Sequence, residues 1–218
     1  PGSKIINEKK EWNRIKNIIT KIKKQFPKIL LSLDTRKSYV IKKGIESGVN
    51  IINDVSGLNF DKKSFEIIRS RNIPFVLHHM QGTPDTMQKN PKYDDALLDI
   101  FDFFEEKINF CLKKKYKKDF IIIDPGIGFG KTTNDNLNIL RNLERFKEIG
   151  NPILIGTSRK STIGNVLNLP INDRLEGTAA SLAISISKGA DIIRVHDVKE
   201  MNRVAKMSDA IIRGWDNE

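Results

Sequence analysis

Six short runs rich in Ile, Val, Leu and Phe recur along this 218-residue chain, and helical patterns separate them. The runs are apolar throughout and do not alternate with polar residues, which is typical of parallel strands that are buried on both faces. Strand and helix alternate over the whole length without a Pro- or Ser-rich linker, and this predicts one α/β domain over residues 1–218. The predicted strands are 29–33, 49–52, 75–77, 120–123, 152–155 and 191–195.

Polar residues directly follow every predicted strand, and this distinguishes a barrel from an open sheet. In a closed parallel barrel all carboxyl ends of the strands open on one rim, which carries the active site. An open doubly wound sheet would concentrate function near a single switch point. We therefore predict a TIM-type (β/α)8 barrel, of which about six of the eight βα units are present. Because such a barrel needs roughly 250 residues, we expect two strands to precede residue 1.

The formal net charge of +11 raises the question of a nucleic-acid partner. The densest basic segment, residues 113–118, closes a helical pattern, where cations favour the carboxyl end of a helix. Few aromatic residues are interleaved with the lysines for base stacking. We therefore interpret the charge as solvated helix faces and predict no nucleic-acid partner.

The chain shows no sign of a membrane or secretory protein. No apolar run approaches the roughly 20 residues that cross a bilayer, and the N-terminus lacks the basic-then-apolar pattern of a signal peptide. Cys111 is the single cysteine, so it cannot form an internal disulfide, and its helical context predicts a buried core residue. A cytoplasmic protein without a membrane partner is expected.

The segment 124–132 comes close to a phosphate-binding loop but does not match one. The nucleotide-binding motif requires Gly five positions before Gly130, where Pro125 stands, and the dinucleotide fingerprint would require Gly at Lys131. We interpret the segment as a Gly-rich turn that leaves a strand. Asp124 is then a carboxylate on the barrel rim.

Two later segments carry cations where a rim site would need them. Residues 156–161 follow one strand and precede a helix, so their amides and basic side chains can meet an anion or a polarised carbonyl. Arg194 and His196 alternate along the last predicted strand, so both should face the lumen as an anion clamp with an additional donor.

Metal and hydrolytic sites are disfavoured by spacing. His78 and His79 point to opposite sides of a strand, and together with His196 they lack the spacing of a zinc site. No serine lies in a Gly-x-Ser-x-Gly elbow, so a hydrolytic triad is not expected.

Taken in order, these polar strand ends resemble those of the dihydropteroate synthases. The matching segments cover almost the whole chain and are 32–35, 51–57, 79–82, 124–131, 156–161 and 193–198. The resemblance implies a folate-pathway transferase. It would condense 6-hydroxymethyl-7,8-dihydropterin pyrophosphate with p-aminobenzoate to give 7,8-dihydropteroate and pyrophosphate.

The resemblance also implies roles for individual residues. The pterin ring would be bound by Asp34, Asn53 and Asp124, with Lys160 donating to its acceptor edge. The departing pyrophosphate would be held by Arg194 and His196. The residues implied as catalytic are Asp34, Asp124, Lys160, Arg194 and His196; those implied as substrate-binding are Asp34, Asn53, Met80, Asp124, Phe129, Gly156, Lys160, Ser161, Arg194, Val195 and His196.

Mg²⁺ is the implied cofactor, yet the family's magnesium ligand is an Asn on a strand that would precede residue 1, so no metal ligand is expected within this chain. The family commonly forms homodimers through its last helices, where Ile211, Ile212 and Trp215 offer apolar contact, although these residues can equally pack on the barrel.

Three other interpretations remain open. A methyltetrahydrofolate-type pterin-binding methyltransferase domain has similar carboxylate and Asn strand ends, although the basic segment 158–161 and the Arg194–His196 pair favour a pyrophosphate leaving group. The remaining two are an inactive pterin-binding fragment and a basic module that binds nucleic acid.

Overall fold

The computed structural model describes residues 6–83, 85–87 and 90–215, and these residues contain six strands and eight α-helices. The strands are β1 (Ser32–Asp34), β2 (Ile51–Asp54), β3 (Phe75–His78), β4 (Ile121–Asp124), β5 (Leu154–Ile155) and β6 (Ile192–Ile193). The helices are α1 (Glu8–Gln25), α2 (Ser38–Glu46), α3 (Ser64–Ser70), α4 (Ala96–Lys113), α5 (Thr133–Arg141), α6 (Ser161–Leu167), α7 (Leu175–Ser187) and α8 (Val198–Arg213). Short 3₁₀ helices cover Lys118–Phe120 and Leu143–Ile149.

The strands follow one another in space in the order in which they occur along the chain. β1 to β4 form a parallel sheet in sequence order, and β5 pairs in parallel with β6. A parallel bridge between Ile123 and Ile153 connects the two groups. Since every pairing is parallel, the carboxyl ends of all six strands lie at the same edge, as predicted.

The first and last strands are shorter than their apolar runs predicted. Ile29 and Leu30 are exposed. Pairing with the segment that leads into β2 begins at Leu31, whose carbonyl oxygen accepts from the amides of Asn50 and Ile51. β6 ends at Ile193, so Arg194 and His196 lie beyond the strand rather than on it, contrary to the prediction. Both residues nevertheless remain at the carboxyl end of β6.

Two apolar clusters lie on opposite faces of the strands. The larger one is between strands and helices and includes Ile52, Phe75 and Ile123, each completely buried. The smaller one consists of Val76, Ile122 and Leu154, with Ile51 and Ile192 packed against it. In a barrel, successive side chains of a strand point alternately outward and into the lumen. The smaller cluster is therefore the lumen floor.

Three of the eight described α-helices begin at a side chain that caps the backbone. The Asn7 side chain accepts from the backbone of α1, and Asp95 accepts from two amides of α4. Thr132 and Asp135 form a capping box at α5, and such caps typically contribute about 1 kcal/mol each.

Cys111 is fully buried in α4, which confirms its predicted core position. Within the described ranges, no helix is both long enough and apolar enough to cross a bilayer.

Candidate active site

The lumen floor determines which side chains meet at the rim. Alternate residues of a strand lie on the same face. Asp34, Asn53, His78 and Asp124 therefore lie on the same strand faces as Ser32, Ile51, Val76 and Ile122, two residues earlier, while Gly156 and Arg194 follow just beyond the ends of β5 and β6. One polar layer therefore stands directly above the apolar floor, and it contains five of the predicted site residues.

Asp34 lies at the centre of one side of this layer. Its Oδ2 accepts from Nδ2 of Asn53 at 3.2 Å and lies 3.5 Å from the Arg194 guanidinium. These three residues come from β1, β2 and the end of β6, so the contacts span the mouth of the lumen. Burial raises the pKa of the Asp34 carboxyl, while Arg194 and Asn53 oppose that rise.

Asn53 carries an acceptor that the protein itself does not use. The side chain is 7% exposed, and its Oδ1 has no hydrogen-bond partner among the described residues. A buried carbonyl oxygen without a partner costs about 1–3 kcal/mol. A ligand N–H group placed above the floor would remove this cost, so Asn53 is preorganised as an acceptor.

Asp124 and His78 form the opposite side of the layer. Oδ1 of Asp124 accepts from the amide of Gly126 at 2.8 Å, which leaves Oδ2, 3.8 Å from Nε2 of His78, facing the site. Burial lowers the pKa of His78 to about 4, because desolvation outweighs the attraction of Asp124. His78 is therefore neutral at physiological pH, and its ring packs edge-on against Phe129, with centroids 4.4 Å apart.

Lys160 brings a cation to this side from the loop after β5. Its ammonium donates to the carbonyl oxygen of Ile127 and lies 4.9 Å from the centroid of the Phe129 ring. Burial lowers the pKa of Lys160 to about 8; Asp124 counteracts the effect of burial and Arg194 reinforces it. Lys160 is thus largely charged at neutral pH but close to its titration midpoint.

Side-chain hydrogen bonds and an ion pair connect the loops after β5 and β6. The Ser158 hydroxyl lies 3.0 Å from Nδ1 of His196 and accepts from the His196 amide at 3.2 Å. Arg159 donates to both carboxylate oxygens of Asp197. A small cavity of about 120 Å³ lies between the loops, lined by Gly156, Ser158, Lys160, Arg194, Val195 and His196. Two cations and a histidine around one cavity suit an anion.

The predicted residues that form this group are Asp34, Asn53, Asp124, Phe129, Gly156, Lys160, Arg194, Val195 and His196. Met80 is half-buried on the loop that follows β3, and Ser161 is exposed at the first position of α6, directly after the loop that follows β5. His78 was not predicted as a site residue. Its two-residue spacing from Val76 was a usable signal, because it places the ring on the lumen face.

The described residues do not supply a metal site. Among residues 6–83, 85–87 and 90–215, no cluster of three or more His, Cys, Asp or Glu side chains is arranged to hold a metal ion. Asp34, the more exposed of the two rim carboxylates, is already engaged by Arg194 and Asn53. The described residues therefore do not by themselves form a site for a resident Mg²⁺.

Comparison with known proteins identifies the family to which this chain belongs. A family model described as pterin binding enzyme matches residues 1–196. Dihydropteroate synthase from Clostridium beijerinckii is 45% identical over 98% of this chain and 77% of its own length. The chain belongs to the dihydropteroate synthase family. The Bacillus subtilis dihydropteroate synthase is 39% identical over 97% of this chain and 72% of its own length.

Solved dihydropteroate synthases share the fold as well. The Yersinia pestis enzyme in complex with a sulfonamide drug superposes with a TM-score of 0.93 at 36% identity, covering 97% of this chain and 76% of that one. The Clostridium difficile enzyme, determined in the presence of pteroic acid, gives 0.91 at 39% identity, covering 98% and 78%. These dihydropteroate synthases are TIM barrels and transferases of folate synthesis, which confirms the predicted barrel class, family and enzyme class.

Proposed function

We propose that this chain condenses 6-hydroxymethyl-7,8-dihydropterin pyrophosphate with p-aminobenzoate, and that the polar layer above the lumen floor performs the reaction. The observation that carries the proposal is the division of that layer. Acceptors from Asp34, Asn53 and Asp124 stand on the floor, and the cations of Lys160 and Arg194 stand beside them. A pterin edge that presents N–H donors next to carbonyl and ring-nitrogen acceptors needs both kinds of partner.

Pterin selectivity follows from burial of these groups. Asn53 Oδ1 lacks a partner among the described residues, and Asp124 is 6% exposed, so a ligand that fails to donate to them would leave their acceptors unpaired. Sites built in this way discriminate strongly against analogues without the matching donor. Lys160 then donates to the acceptor side of the ring. The pteroic acid present with the Clostridium difficile relative supports a pterin in the corresponding site.

The chemical step needs charge stabilisation rather than a nucleophilic residue. The C–O bond between the pterin methylene and pyrophosphate breaks, and its electron pair leaves with the pyrophosphate oxygen. Arg194 and His196 line the small anion-sized cavity where this charge would develop. Asp34 and Asp124 face the electron-poor pterin, and preorganised charges of this kind contribute a few kcal/mol each.

The aromatic amine completes the reaction. Its nitrogen attacks the methylene carbon and then loses a proton to solvent, which gives 7,8-dihydropteroate. Phe129, Lys160 and Ser161 surround the entry to this position, since Phe129 lies beneath the Lys160 ammonium and Ser161 follows it at the start of α6. Phe129 offers a flat apolar contact to the benzoate ring, and Lys160 offers charge to its carboxylate.

Mg²⁺ and a cytoplasmic location belong to the same proposal. Mg²⁺ is commonly bound by substrate phosphates with only one or two protein ligands, so the pyrophosphate would bring most of its ligands. Chelation followed by readdition of Mg²⁺ tests this requirement. The cytoplasmic location is proposed because a charged pyrophosphate ester does not readily cross a bilayer, so the enzyme would act in the compartment in which this substrate is made.

Pyrophosphate release is the decisive test of the proposed reaction. Release should require both substrates and should fall to background in Asp124→Asn. A methyltransferase would release none and would instead demethylate methyltetrahydrofolate, and a pterin-binding fragment would bind pterin without turnover. No pyrophosphate together with salt-sensitive binding to random DNA would indicate the nucleic-acid module.

A homodimer through the last helices is a further part of the proposal. Ile211 and Trp215 are 71% and 76% exposed at the end of α8, and Ile184 on the neighbouring α7 is 50% exposed. Exposed apolar residues on two adjacent helices are candidates for an interaction surface. Sedimentation of Ile211→Glu should show a monomer, whereas Leu98→Glu, a change at an exposed leucine on α4, should sediment like the unaltered protein.

A further inference from the structure

Lys131 is a buried cation to which the proposed reaction gives no role. It lies between Gly130 and the start of α5, and only 3% of it is exposed. Its Nζ donates to Nδ1 of His79 at 2.9 Å and to the carbonyl oxygens of Gly126 and Phe129, each at 3.0 Å. An ammonium has three N–H donors, which these three short contacts use, and the His79 carbonyl oxygen lies farther from Nζ, at 3.4 Å.

These contacts join two different strand ends. His79 follows β3, whereas Gly126 and Phe129 belong to the loop after β4. Lys131 therefore connects this loop to a residue 52 positions earlier in the sequence. The two segments touch directly: a Cβ added at Gly126 would lie 2.0 Å from the His79 carbonyl oxygen, and one at Gly130 would lie 2.4 Å from that of Gln81. The two glycines therefore let the loop approach the segment after β3 closely, and the Lys131 ammonium donates to both segments.

The loop held in this way carries two elements of the site. The Phe129 ring packs on His78 and lies beneath Lys160, and the Ile127 carbonyl oxygen accepts from the Lys160 ammonium. Lys131 cannot touch substrate itself, because its Nζ is enclosed by backbone and by His79. Any effect on the reaction must pass through the loop.

We propose that Lys131, seated on His79, is a positioning residue that fixes the 126–130 loop so that Phe129 lies at the aromatic-amine position. The proposal rests on the proposed function, since it assigns the amine subsite of that same site. It predicts a selective defect. Asp34 and Asn53 hold the pterin from other strands, so loss of Lys131 should weaken use of the amine far more than pterin binding.

A double-mutant cycle between Lys131→Met and Phe129→Leu tests this coupling. Lys131→Met should raise the KM for p-aminobenzoate about tenfold, since misplacing a contact by an ångström costs up to about a hundredfold, and should change the pterin dissociation constant less than about threefold. In the Phe129→Leu background the same change should raise this KM less than about twofold, because coupled residues are non-additive. An equal increase in both backgrounds, or an unchanged KM, would overturn the proposal.

Two further measurements separate positioning from lost stability and from a failed reaction. Tyr116→Phe, which removes a buried hydrogen bond to the Ile73 carbonyl oxygen, should lower the denaturation midpoint without changing either KM. Nuclear Overhauser contacts between the rings of Phe129 and His78 should disappear in Lys131→Met and persist in Tyr116→Phe. If the unaltered enzyme released no pyrophosphate, the proposed function would be wrong, but the ring contacts would still test whether Lys131 positions the loop. Ring contacts that persist in Lys131→Met would overturn the positioning role.

Discussion

Folding stability should increase as the pH rises from 7 to 9, and Lys131 should be the main cause. Burial lowers the pKa of its ammonium to about 7 in the folded protein; Asp124 and Asp135 favour the charged form, whereas Lys160 disfavours it. In the unfolded chain the same group titrates near 10.5. Above pH 7 the folded protein has therefore begun to release a proton that the unfolded chain retains.

The sign and size of the effect follow from proton linkage. Stability rises with pH wherever the unfolded state binds more protons, and one proton changes the free energy of unfolding by about 1.4 kcal/mol per pH unit. With a pKa lowered to about 7, the Lys131 ammonium of the folded protein loses its proton over this pH range. Integration from pH 7 to pH 9 then gives a gain of about 2 kcal/mol from this residue.

Urea denaturation at the two pH values measures this gain. The free energy of unfolding of Lys131→Met should rise by about 2 kcal/mol less between pH 7 and pH 9 than that of the unaltered protein, because Met does not titrate. Lys160 titrates in both proteins, and its repulsion of the Lys131 ammonium is part of the difference that is measured. Lys10→Met, a change at an exposed lysine on α1, should keep the pH dependence of the unaltered protein. The same pH dependence in Lys131→Met would refute the assignment.

Three other predictions concern the site and its loop. Lys160→Ala and Asp124→Asn should abolish pterin binding in calorimetric titrations while the circular dichroism spectrum stays unchanged; unchanged affinity would remove the altered residue from the site. Because the pKa of Lys160 is lowered to about 8, pterin affinity should fall as the pH rises through 8, and Lys160→Arg should lack this alkaline decline. Gly126→Ala should destabilise the fold by several kcal/mol in urea denaturation, since its φ is +72° and the new Cβ would lie 2.0 Å from the His79 carbonyl oxygen. Gly150→Ala is the control for backbone strain, because its φ is +75° and a Cβ there would meet only the flexible end of the Lys118 side chain.

Much of the site was predictable because the side-chain period of a strand is two. Apolar runs revealed six strands, and the polar residues that follow them named Asp34, Asn53, Asp124 and Arg194 as residues of one rim. The same rule applied upward from Val76 would have included His78. The ends of β6 were less predictable, since a strand ends where its pairing ends, and pairing depends on the neighbouring segment.

The sequence by itself determined the order of strands and helices, the family resemblance and the identity of the side chains at the rim, because these depend on local pattern. Only the tertiary structure decided their chemical state. His78 is neutral and Lys160 is close to titration because packing removes water from them. Lys131 donates to His79, 52 residues earlier in the sequence, because the fold brings the segments after β3 and β4 together. Desolvation and contacts between distant segments arise only when the chain is folded, so no local pattern records them.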